Sequence, residues 1–130
     1  MEKIEPFLTQ QKACFVTHYP IQMGALAAQE TTLNSNNETI LKPYVERMEA
    51  YINGIEICNG YFELVDTLEF SKRLQHIQKI KGSEFSRDIL FENAMKFGIP
   101  SCTGNALGFD RVIMQLMGLD KISDLYAIPL

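Results

Sequence analysis

The sequence predicts an α+β fold, an antiparallel β-sheet with helices packed on it. Three observations predict it. Asn53-Gly54 separates two runs of alternating polar and apolar residues, apolar residues recur at helical spacing over residues 67–81, and a glycine-rich stretch at 103–108 leads into a further amphipathic segment. The 130 residues amount to one domain's worth of chain, and no internal repeat breaks the order.

Residues 13–19 are short and β-prone and run into Tyr19-Pro20. They read as a buried strand stopped by the proline. Residues 22–29 read as a short helix. Residues 30–39, rich in Thr, Ser and Asn, read as a polar loop and the segment expected to be most mobile.

Residues 45–58 are the most informative. Asn-Gly between two alternating runs is the strongest short-range hairpin signal, because a type I′ turn needs positive φ at both central residues. A two-residue turn pairs Ile52 with Ile55, Tyr51 with Glu56, Ala50 with Ile57 and Glu49 with Cys58. One face then carries Met48, Ala50, Ile52, Ile55 and Ile57. The other carries Arg47, Glu49, Tyr51, Glu56 and Cys58. Glu49 and Glu56 become diagonal neighbours on that polar face, about 5–8 Å apart at the backbone.

Leu68, Phe70, Leu74, Ile77 and Ile80 give the next helix its apolar side, and Gly82 ends it. Ser83, or alternatively Ser86, caps a following helix whose expected buried stripe is Phe85, Ile89, Leu90, Ala94 and Phe97. Gly98 and Pro100 close it. A short helix is expected over residues 110–117.

Twelve Lys and Arg against sixteen Asp and Glu give a net charge of −4. That excludes a basic stripe of the kind that binds a phosphate backbone. No apolar run approaches the ~18 residues of a membrane span. The first fifteen residues mix charges early and have no signal-peptide core, so a cytoplasmic location and no membrane partner are expected. Cys14, Cys58 and Cys102 are read as free thiols, and their distance from His18 and His76 argues against zinc.

Three segments can carry chemistry. The Glu49/Glu56 pair suits Mg²⁺, which is commonly held by one or two carboxylates plus substrate phosphates. From the spacing alone, an exposed polar hairpin face with solvated acids, or acids paired to Arg47, is the more ordinary reading. In Gly104-Asn105-Ala106-Leu107-Gly108-Phe109-Asp110-Arg111, small residues allow close backbone approach, and Arg111 at a helix start can meet an anion or stack on a planar base. A tight strand-to-helix turn with a surface arginine reads the same way. It is neither a Walker loop nor a GxGxxG motif. Asn59-Gly60-Tyr61-Phe62-Glu63-Leu64 reads on its own as a continuing strand with Glu63 facing solvent.

Together, Arg47-x-Glu49, Gly54-Ile55-Glu56-Ile57-Cys58-Asn59-Gly60-Tyr61-Phe62-Glu63-Leu64 and Gly104-x-Ala106-x-Gly108-x-Asp110-Arg111 resemble the C-terminal half of a class II lysyl-tRNA synthetase catalytic domain. Phe15-Val16-Thr17-His18-Tyr19-Pro20 fits the strand preceding them, so the resemblance covers most of the chain. It implies part of the class II antiparallel catalytic fold, and activation of lysine or β-lysine by ATP to an adenylate. It gives Glu49 and Glu56 to Mg²⁺, and Glu56, Ile57, Gly108 and Arg111 to ATP, with Arg111 as the catalytic charge. Asn59, Glu63, Gly104 and Ala106 fall to the amino-acid pocket, Glu63 receiving the ε-ammonium. Strict alternation puts Asn59 on the face opposite Glu56, so the family's pocket requires a bulge near Cys58–Gly60.

Position 106 narrows the resemblance. Ordinary lysyl-tRNA synthetases tend to have Gly there, whereas the stand-alone paralogue subfamily that attaches (R)-β-lysine to a lysine of elongation factor P carries Ala. An added methyl crowds an α-amino group and favours a displaced one, a difference of about 1–3 kcal/mol. Elongation factor P is then the acceptor. A fragment charging tRNA and a non-catalytic paralogue acting as a binding module are the alternatives. Residues 1–130 are expected to be the motif 3 half of the catalytic domain, because the family's motif 1, which builds a homodimer, and motif 2, whose arginine grips the α-phosphate, find no match before Phe15. The chain alone is therefore expected to activate lysine weakly or not at all.

Overall fold

The computed structural model describes residues 4–82 and 86–127. In chain order these form α1 (Glu5–Leu8), β1 (Ala13–Pro20), a 3-10 turn (Ile21–Met23), β2 (Gln29–Leu33), β3 (Thr39–Ile52), β4 (Ile55–Phe62), α2 (Thr67–Lys81), α3 (Ile89–Phe97), β5 (Thr103–Leu107), α4 (Phe109–Met117) and a second 3-10 turn (Ile122–Leu125). The fold is α+β, with an antiparallel sheet and several helices. Length left room for one domain, and the chain groups into two compact units interleaved along the sequence. The first comprises Met1–His18, Arg47–Gly60 and Asn105–Leu130, the second Tyr19–Glu46 and Tyr61–Gly104.

In the first unit the strand order is β1-β3-β4-β5. The expected hairpin is present. Asn53 (φ 49°) and Gly54 (φ 80°) both take the left-handed conformation that the type I′ turn demands. The Gly54 position has no room for a side chain, since an added Cβ would lie 2.6 Å from Thr9 Cγ2. The Asn53 N–H also donates to the Lys12 carbonyl at 3.1 Å, which holds the turn against the start of β1. α4 begins at Phe109 with Gly108 as its N-cap and ends at Gly118 in the left-handed region. Tyr126 donates to Asp110 Oδ2 at 3.0 Å, and that hydrogen bond to a carboxylate raises the phenol above its ordinary pKa.

In the second unit β2 pairs antiparallel with the first part of β3, Thr31 opposite Leu41 and Leu33 opposite Thr39, with a register irregularity between Gln29 and Thr31. The polar stretch 30–39 is therefore a hairpin rather than a loop. Asn34 concentrates the turn into a few residues. Its Oδ1 accepts the N–H groups of Asn36 and Glu38 at 2.9 Å, and Asn37 supplies a positive φ of 65°. The helix expected over 22–29 reduces to the 3-10 turn, since Ala25 leaves the helical region at φ 46° and Gln29 already belongs to β2. Ala27, fully buried, bridges to Glu63 instead.

α2 matches its expected bounds. Asp66 caps it through the N–H groups of Leu68 and Glu69, and Gly82 at φ 61° closes it. α3 starts later than expected, with Asp88 as N-cap through Phe91 N–H. The expected cap Ser83 and the expected stripe residue Phe85 lie outside the described residues, and the alternative cap Ser86 precedes the observed one. Leu64, Phe70 and Met95 form a buried cluster against which Leu26, Leu74 and Ile99 pack. Phe91 meets Phe70 edge-on at 5.7 Å.

Three expectations about burial are overturned. β1 is a strand, but only Tyr19 in it is buried, and Phe15 is 71% exposed. As the last strand of its order, β1 has a paired neighbour on one flank only. In α2, Leu68 and Ile80 face outward and only Phe70 is buried. In α3 the stripe of Ile89, Leu90, Ala94 and Phe97 faces outward, while Glu92 and Met95 are the buried pair. The helix turns its Phe91/Met95 side, one turn apart, to the cluster. Glu92 is tolerated inside because Arg87 makes a two-pronged ion pair with it, Nε to Oε1 at 2.7 Å and Nη2 to Oε2.

Candidate functional site

The first unit holds two groups of expected site residues. One is on the polar face of the β3–β4 hairpin. Residues 47, 49 and 51 alternate with the strand period and so lie on one face. Arg47 Nη2 donates to Glu49 Oε1 at 2.6 Å, and Tyr51 Oη donates to Glu49 Oε2 at 2.6 Å. Glu49 is only 3% exposed. Glu49 is therefore not solvated, and each of its oxygens has a donor. Cys58 is buried on β4, and its thiol donates to Asn105 Oδ1 of β5 at 2.7 Å.

Asn59 joins this group. β4 runs unbroken from Ile55 to Phe62, and within it Asn59 Oδ1 accepts from Arg47 Nε at 3.3 Å. Arg47 and Tyr51 were not singled out as site residues from sequence, although their period-two spacing with Glu49 was visible there.

The other group joins β4 to the start of α4. Gly108 N–H donates to the Ile57 carbonyl at 2.8 Å, and Arg111 Nη1 donates to the Glu56 carbonyl at 2.8 Å. Arg111 Nη1 also stands 3.9 Å from Glu56 Oε2, both side chains being partly open to solvent. A Cβ at Gly108 would lie 3.3 Å from Arg111 Cδ, so the glycine leaves room for the arginine, one helical turn later, to reach back over β4. Ala106 lies on the exposed part of β5 in the same unit.

Glu63 and Gly104 belong to the second unit, where they are in direct contact. A Cβ at Gly104 would collide with the Glu63 carboxylate. Glu63 N–H donates to the Cys102 carbonyl at 3.0 Å. Glu63 is partly buried rather than solvent-facing, and it lines a cavity of about 360 Å³ with Leu26, Leu64, Phe91, Met95 and Ile99. A single carboxylate in a mostly apolar cavity suits a cation carried on a methylene chain.

Among the described residues no cluster of three or more His, Cys, Asp or Glu side chains forms a metal site, and all three cysteines are free. No helix among them is long and apolar enough to cross a membrane.

An antiparallel sheet with several helices, one of them glycine-capped with an arginine that returns to the sheet, fits a class II synthetase-like domain. The chain belongs to the family of class II tRNA synthetases (D, K and N), whose model matches residues 4–130. It is 35% identical over 132 residues to the elongation factor P–(R)-β-lysine ligase of Buchnera aphidicola subsp. Baizongia pistaciae, covering 98% of this chain and 38% of that one. It is 33% identical over 130 residues to the ligase of the same name from Yersinia enterocolitica, covering 97% and 38%. With that from Hamiltonella defensa the identity is 32% over 133 residues, 99% and 38%. The chain thus spans 38% of the length of these curated relatives.

Proposed function

We propose that the chain carries the amino-acid pocket and part of the nucleotide site of an ATP-dependent ligase. The ligase activates (R)-β-lysine, or lysine, as an adenylate and transfers it to a lysine of elongation factor P. The observation that carries this reading is Glu63: a carboxylate in a largely apolar cavity, admitted by the missing side chain at Gly104. Lysine and β-lysine both present an ammonium at the end of a methylene chain, and burying it unpaired would be costly.

On this reading Gly104 serves the amino-acid pocket with Glu63, and Asn59 and Ala106 keep the amino-acid role that the family resemblance gives them. Glu56, Ile57, Gly108 and Arg111 take the nucleotide, with Arg111 supplying positive charge to the phosphates and a planar surface to the base. The two acids fit Mg²⁺. Glu56 is the more open of the two. Bound there with the phosphates, the ion would neutralise their charge. The nucleophile comes from the acceptor, so the protein's own part is charge and orientation.

Calorimetric titration with ATP–Mg²⁺, L-lysine and (R)-β-lysine tests the reading. Binding of ATP–Mg²⁺ and of a lysine isomer is expected, with (R)-β-lysine the tighter of the two. Preference for L-lysine would point to tRNA charging instead. Absence of binding by both isomers would refute the amino-acid assignment.

A further inference from the structure

We propose that Arg47 is a positioning residue that fixes the side-chain amide of Asn59 as a hydrogen-bond donor toward the amino-acid substrate. The inference rests on the lysine-binding reading above. Arg47 is anchored at one end: Nη2 lies 2.6 Å from Glu49 Oε1, and that carboxylate is itself held from its other oxygen by Tyr51 Oη at 2.6 Å. The two side chains are 17% and 5% exposed, so neither partner is free to swing into solvent.

A guanidinium is a rigid plane of donors with no acceptor. With Nη2 fixed on Glu49, the direction of the Nε–H is fixed too, and it points at Asn59, 3.3 Å from Oδ1. Only the oxygen of the Asn59 amide can face a group that solely donates. The amide therefore cannot flip without setting N–H against N–H, and its NH₂ is left for whatever approaches. An NH₂ can bond an acceptor but not an ammonium. On lysine the only acceptor at neutral pH is the carboxylate. Asn59 would thus read the carboxylate end of the substrate. A lysine at position 47 would keep the charge but lose the planar fork.

The test compares L-lysine with cadaverine, which has the same two ammonium groups and no carboxylate. Affinities are measured by calorimetry for the wild-type chain, Arg47→Met, Arg47→Lys and Asn59→Asp, with thermal unfolding as the check on folding. Asn59→Asp keeps an oxygen for Arg47 while deleting the NH₂, so it separates the donor from the packing. The wild type is expected to prefer lysine at least about tenfold, the scale of one charge-assisted hydrogen bond. In Arg47→Met and Asn59→Asp that ratio falls toward one, and Arg47→Lys does not restore it. A folded Arg47→Met or Asn59→Asp that keeps the wild-type ratio overturns the inference, as does a wild type that binds lysine and cadaverine alike. A wild type that binds no lysine defeats the pocket assignment itself.

Discussion

Arg111 crosses from α4 to β4 and holds it twice: its Nη1 donates to the Glu56 carbonyl at 2.8 Å and stands 3.9 Å from the carboxylate of the same residue. The first contact fixes the guanidinium plane. The second, at a solvent-open distance, leaves most of the charge available to an incoming anion.

Replacing Arg111 should therefore act on ligand binding more than on folding. Arg111→Ala is expected to weaken ATP binding by more than about tenfold, the value of a lost charge-assisted contact, with little change in unfolding midpoint. Arg111→Lys should recover only a small part, because an ammonium cannot hold the carbonyl and face phosphates and base as a fork does. Titration calorimetry with ATP–Mg²⁺ checks both, and full recovery in Arg111→Lys would show that charge alone suffices.

The two acids of the hairpin should separate cleanly. Glu49 is buried between two donors, so Glu49→Gln removes the carboxylate charge beside the Arg47 guanidinium and should destabilise the chain by about 2–4 kcal/mol in urea unfolding. Glu56 is partly open, so Glu56→Gln should stay within about 0.5 kcal/mol of wild type. It should instead reduce the Mg²⁺ dependence of nucleotide binding. Equal stability losses in the two variants would contradict this division.

Gly104 and Ala106 of β5 make a second pair. Gly104→Ala places a methyl where the Glu63 carboxylate lies and should abolish measurable lysine binding in a chain that still folds. Ala106→Gly should lower the preference for (R)-β-lysine over L-lysine by roughly tenfold, the effect of one methyl in a discriminating pocket. An unchanged isomer ratio would remove Ala106 from the specificity argument.

Acid should weaken the second unit first. The N–H groups of Glu69 and then Leu68 hold Asp66 below its ordinary pKa, and the hydrogen bonds from Arg87 do the same for Glu92. A carboxylate depressed in the folded state contributes stability that is present above its unfolded pKa and is lost as pH falls through the folded one. Urea midpoints should hold from pH 7 to about 5 and drop below about pH 4. In Asp66→Asn and Glu92→Gln the drop should be shallower.

Much of the candidate site was legible in the chain because it depends on local rules. The turn at Asn53-Gly54 needs only the φ preferences of two residues, and it fixes the register that puts Arg47, Glu49 and Tyr51 on one face. The end of α2 follows from its closing Gly82, while its Asp66 cap emerged only in the structure. Residues 30–39 were misread because composition shows turn formers without showing that Asn34 would gather them into a hairpin closed by its own side chain.

Sequence by itself determined the hairpin, its two-residue turn, the α+β class and the candidate acids, all consequences of neighbours along the chain. Only the tertiary structure decided which of those acids is buried and which side of a helix faces the core. Glu49 and Glu56 share a face and a charge, yet one lies under Arg47 and Tyr51 and the other opens toward Arg111. In α3 both possible faces are apolar, and the choice of Phe91 and Met95 over Leu90 and Phe97 was made by Phe70 and Leu64, far from them in sequence. Burial is set by what packs from elsewhere in the chain, and no local pattern encodes it.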